Sequence, residues 1–136
     1  MSDQRHDHRI KLMQDLFACT FTAQNLQICL EEKPADSTVL VIINNLESID
    51  ARIREAAPER PLDDINKVDL AILRLIVHES DSKKTPKKVL LNEAIELAKY
   101  YSAENSPGFV NGVLAKIILE ENNEELEEQP TTETEL

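Results

Sequence analysis

Tryptophan is absent from this 136-residue chain and glycine nearly so, with two glycines, six prolines, three phenylalanines and two tyrosines. That composition, with apolar residues recurring at helical spacing over most of the length, argues against a sheet-rich fold and for an all-α bundle. No apolar run approaches the roughly 20 residues a membrane span needs, and the start has no signal-peptide core. A cytoplasmic protein with no membrane contact is therefore expected. The only two cysteines, Cys19 and Cys29, form no CxxC pair and stand away from any histidine at metal-ligand spacing, so both are expected as reduced thiols. His6 and His8 fall about 200° apart on a helix and cannot share a metal. No Ser/His/Asp or Cys/His constellation assembles. The chain reads as a non-enzyme, with no catalytic residue, cofactor or metal expected.

Positive charge is outnumbered: 15 Lys and Arg stand against 26 Asp and Glu, for a formal net charge of −11. Its placement is uneven. Residues 120–136 hold eight Glu and no Lys or Arg, which leaves 15 basic and 18 acidic groups in residues 1–119, a balance of −3. A near-neutral body of this size supports one domain over residues 1–119. Residues 120–136 are too polar to offset their ordering entropy, and a disordered acidic tail is expected there.

Along the chain, residues 7–21 read as a first helix whose core-facing stripe is Ile10, Met13 and Phe17, followed by a short helix around residues 26–30 and a break at Lys33 and Pro34. Val39, Ile42, Leu46, Ile49, Ile53 and Ala56 alternate spacings of three and four, which predicts one long amphipathic helix ending before Pro58. Pro61 and Leu62 open a short helix. Residues 68–77 are apolar nearly all round except for Asp69 and Arg74, the mark of a central spine, and Arg74 is expected in a structural ion pair. Thr85 and Pro86 are expected as cap and first position of the next helix, amid Lys83, Lys84, Lys87 and Lys88, the densest positive patch. Leu90, Ala94, Leu97 and Tyr101 share the face of that helix. Ser106 as cap and Pro107 as first position then start a last helix, in which Gly112 costs about 1 kcal/mol relative to Ala. A glycine there predicts a close approach to the backbone, by a crossing helix or by a ligand strand.

The series DxxILR (Asp69, Ile72, Leu73, Arg74), NEAxELAK (Asn92 to Lys99) and FVNGVL (Phe109 to Leu114), in that order and closely spaced, resembles the NusB family of transcription antitermination factors. The likeness covers residues 68–116, with a weaker echo in Arg9, Gln14, Leu16 and Phe17 and none between Thr20 and Ser37. It implies a compact bundle of about seven helices that binds boxA-like single-stranded RNA together with the small-subunit ribosomal protein NusE. The pair would then load onto the RNA polymerase complex during ribosomal RNA transcription. On the matching positions, Arg5 and Arg9 would face RNA, and Phe17 and Asp69 would face NusE; Phe109 is a candidate either to stack an unpaired base or to pack in the core, with Asn105 and Asn111 beside it as RNA contacts. The N-terminal arginines and the last two helices would lie side by side as one platform.

Between Arg5 and Arg9 the chain departs from the family pattern. Asp7 repels phosphate, and His6 and His8 predict RNA binding that tightens at acidic pH. Two alternatives follow: a protein-only adaptor with degenerate RNA binding, and an RNA-binding accessory of a separate enzyme that modifies ribosomal RNA.

Overall fold

The computed structural model describes residues 3–119, and the acidic segment 120–136 lies outside the described residues. Seven α-helices follow in order among those residues, with no strand: α1 (Gln4–Thr20), α2 (Ala23–Glu32), α3 (Thr38–Asn44), α4 (Leu46–Ala56), α5 (Lys67–Asp81), α6 (Lys87–Tyr101) and α7 (Ser106–Leu114). A 3₁₀ turn, Leu62–Asp64, precedes α5, and Ala115–Leu119 continues α7 as a π-helical segment.

The expected spine is α5. It packs against α1, α3, α4, α6 and α7, and Ile72, Leu73, Leu75, Ile76 and Val77 are all but inaccessible to solvent. Asn66 starts it, its side-chain oxygen accepting the backbone N–H groups of Val68 and Asp69 at 2.8 and 3.3 Å. Around it, Leu16 of α1, Ile42 of α3, Ile53 of α4, Leu90 and Leu97 of α6 and Leu114 of α7 close the core. Helix α1 runs antiparallel to α5: Arg9 meets Glu79 at one end, and Lys67 donates to the Phe21 carbonyl at the other.

Four local expectations are corrected. The long helix over residues 39–56 breaks at Asn45, whose side chain donates to the Val41 carbonyl at 2.8 Å and turns the backbone to φ −108° and ψ 10°. A short amide that serves the preceding turn competes with helix continuation, and apolar periodicity carries no trace of it. Pro86, not Thr85, caps α6, while the Thr85 hydroxyl points to Glu79. Asn105 takes the cap position of α7, and Ser106 has a different task described below. Cys19 and Cys29 are bonded, not free thiols. Thr22 caps α2 through the Asn25 N–H and folds it back along α1, so the two Cα atoms lie 5.8 Å apart. A helical hairpin makes that approach; a spacing of ten residues does not announce it.

Candidate nucleic-acid interface

The N-terminal residues divide sharply. Arg5 is exposed and lines a cleft of about 450 Å³ with His8, His78, Lys84 and Thr85, between the start of α1 and the end of α5. Arg9, one turn on, is 5% exposed. Its Nε and Nη2 grip the Glu79 carboxylate at 2.9 and 2.5 Å, and its Nη1 lies 3.4 Å from Glu93 of α6. The hydrogen bond to Glu79 raises the Arg9 pKa beyond its ordinary value, so the guanidinium is permanently charged and already neutralised. It is not an open cation like Arg5.

His6 sits beside it, Nδ1 2.6 Å from Glu93. That hydrogen bond, against a smaller opposing effect of burial, raises the imidazole above its ordinary 6.5, with coulombic help from Glu93, Asp7 and Asp3. A histidine whose folded pKa is raised adds stability that is complete below the unfolded value and is lost as pH climbs through the folded one. In an NMR titration the His6 ring is expected to change charge above pH 6.5, and its midpoint to fall in Glu93→Gln. An unmoved midpoint would remove Glu93 as the cause. His6 therefore ties α1 to α6, and the pH response it supplies goes first to the fold.

At the far end of α5 a polar hub joins three helices. Asp69, 4% exposed, accepts the Ser106 hydroxyl at 2.9 Å and the Ser102 hydroxyl on its other oxygen, and Ser106 also accepts the Ala103 N–H at 3.2 Å. The carboxylate expected to meet a protein partner is turned inward, because two hydroxyls from the α6–α7 connector satisfy it. Asn105, just outside the hub, is exposed. Along α7 the exposed positions are Gly108 and Gly112, one turn apart, and a Cβ at either would meet nothing within 4 Å. The crossing helix expected at Gly112 is not there, and the face carrying Asn105, Gly108 and Gly112 is open backbone. Asn111 is half-buried beside it. Phe109 is half-buried too, packed on the core, with the Arg60 guanidinium 4.3 Å from its ring centroid.

Arg9 and the start of α7 stand at different levels of the bundle. Glu79 holds Arg9 and Asp69 holds Ser106, ten residues apart on α5, which at 1.5 Å per residue is about 15 Å. Arg9 reaches α6 through Glu93, at the other end of α5 from the start of α7.

A third locus was only half legible. Phe17 packs against Phe21 with centroids 5.3 Å apart, and Lys67 lies 4.4 Å over the Phe21 ring. These residues, with Leu62 and Asp63, line a cleft of about 340 Å³. Phe21, 44% exposed, lies one residue past the end of α1 and belongs neither to the core-facing stripe of that helix nor to the motifs that carry the likeness.

Fold and clefts together define an all-helical bundle with separate cationic and aromatic clefts. Residues 6–119 match the model of the NusB family, and the chain belongs to that family. It is 34% identical over 133 residues to the transcription antitermination protein NusB of Chloroflexus aggregans, covering 87% of this chain and 89% of that one. It is 40% identical over 90 residues to the NusB protein of Thermoanaerobacter sp. (strain X514). There the match spans 66% of this chain and 64%, under two thirds, of the relative. A solved structure of T. maritima NusB superposes with a TM-score of 0.71 at 33% identity, covering 88% of this chain and 94% of that one. No helix among the described residues is long and apolar enough to cross a membrane.

Proposed function

We propose that this chain is a cytoplasmic transcription antitermination factor, without catalytic activity, that binds boxA-like single-stranded RNA together with NusE and assembles with it on RNA polymerase during ribosomal RNA transcription. The relatives' names supply the antitermination role. The observation that carries RNA binding is the cleft at the start of α1, where Arg5, Lys84, His8 and His78 gather in a chain of net charge −11. Phosphate contacts of this kind are sequence-independent and salt-sensitive, and they position a strand for readout elsewhere. The open α7 face, with Asn105 at its start and Asn111 on its flank, gives donors and exposed backbone to the bases. For NusE, the Phe17–Phe21 cleft has the aromatic anchors and cationic rim of a protein-binding hot spot.

The test is a titration of labelled boxA RNA with and without NusE. Arg5→Ala is expected to weaken RNA binding about five- to tenfold and to flatten the dependence of log Kd on log salt by about 0.7, the increment for one single-strand phosphate contact. Phe21→Ala is expected to weaken NusE about tenfold or more and leave the salt slope alone. The burial of Arg9 favours a second reading, a protein-only adaptor; full NusE affinity with no RNA binding at any salt concentration would select it.

A further inference from the structure

A cleft unrelated to the N-terminal arginines opens between α4, the Leu62–Asp64 turn and α5. It encloses about 640 Å³ and is lined by Asp50, Arg54, Arg60, Asp63, Leu70 and Arg74 among others, a size typical of small-ligand sites. At its floor Arg74 donates Nε and Nη2 to the two oxygens of Asp50, each at 2.9 Å, so this pair is fixed and electrically spent. The rim differs. Arg54 and Arg60 are exposed and form no ion pair among the described residues, against a single unpaired carboxylate at Asp63. Arg60 nevertheless has an aromatic neighbour: its guanidinium carbon lies 4.3 Å from the Phe109 ring centroid, while the residue lines the cleft. A planar cation backed by an aromatic ring makes a second stacking layer, and a fork of donors on a neighbouring helix suits a phosphate.

We propose that this cleft is a single-nucleotide pocket, in which Arg60, backed by Phe109, stacks one unpaired base and Arg54 holds the adjoining phosphate. The assignment rests on the RNA-binding reading above and extends it to residues outside the matched motifs. It also gives Phe109 a task that its half-buried position permits, since the ring acts through the guanidinium that covers it. An acidic protein side chain would use the edge of Arg60 alone and would gain nothing from the ring beneath, so the stack favours a base.

The experiment is fluorescence anisotropy on the full chain with NusE, using a labelled boxA-type oligoribonucleotide and a set of the same RNAs with one abasic site walked along the strand. Arg60→Ala is expected to weaken binding about tenfold, within the range seen for loss of one stacked base, and Arg60→Lys to recover little of it because a point charge has no plane. Arg54→Ala is expected to flatten the salt slope by about 0.7. At one position the abasic RNA should cost the wild type as much as Arg60→Ala does, and cost that variant nothing further. If Arg60→Ala melts early, Arg54→Ala at its exposed site still decides the matter through the salt slope. Wild-type affinity and slope in both variants, alongside a loss in Arg5→Ala, would overturn the pocket and leave the RNA reading standing. Loss of NusE with RNA affinity intact would assign the cleft to protein and overturn it equally. Failure of the wild type to bind any of these RNAs would overturn both.

Discussion

Arg9→Ala is expected to lower the unfolding free energy by about 3 kcal/mol, the lower end of the range for removing one partner of a buried ion pair. The guanidinium is 5% exposed and reaches Glu79 and Glu93 at once, so its loss leaves two carboxylates from α5 and α6 facing each other across the space it filled. Glu79 keeps 23% of its side chain accessible, and solvent screening there is why the lower end applies. Urea unfolding measures the loss. A drop below about 1 kcal/mol would place the pair with ordinary surface ion pairs. Arg9→Met combined with Glu79→Gln should recover much of it, because removing both members avoids stranding a charge. The consequence for function is direct. A loss of RNA binding in Arg9→Ala is ambiguous between a missing contact and a loosened α1, whereas Arg5→Ala removes a charge that holds nothing else in place.

Asp69→Ala should cost about 1–3 kcal/mol. Its carboxylate accepts from both Ser102 and Ser106, and alanine would leave those hydroxyls only each other, 3.0 Å apart, and the Asn66 side-chain oxygen at 3.4 Å, so about one donor's worth of hydrogen bonding is lost. The hub joins the start of α5 to the end of α6 and the start of α7, so amides of α7 are expected to exchange faster with solvent as thermal stability falls. Asp69→Asn keeps the shape and at least one acceptor, and its loss should be smaller. If Asp69→Asn weakened NusE binding at unchanged stability, the residue would touch the partner directly and the inward-facing role would be wrong.

Both residues stand out in the sequence as members of a likeness, and both are polar groups on helices with apolar stripes. The likeness alone assigns Arg9 to RNA and Asp69 to a protein partner, and a charge left unpaired in a core would be costly. The pairing that removes that cost lies far along the chain, at Glu79 for Arg9 and at Ser106 for Asp69. Arg74 shows the opposite case. The nearly continuous apolar surroundings on α5 required an ion pair, and Asp50 supplies it. Phe109 lies between these cases: periodicity allowed both packing and stacking, and only the position of Arg60 shows that the ring is packed on one side and covered on the other.

The amino-acid sequence by itself determined the all-helical architecture, the central place of α5 and the family likeness, because three- and four-residue apolar spacing is a local property that survives any arrangement of helices. Tertiary structure alone decided which cations stay open, which carboxylates turn inward, that Cys19 reaches Cys29, and that the starts of α1 and α7 meet opposite ends of α5. Those outcomes depend on distances between residues remote in the chain, and burial sets how strongly charges at those distances interact.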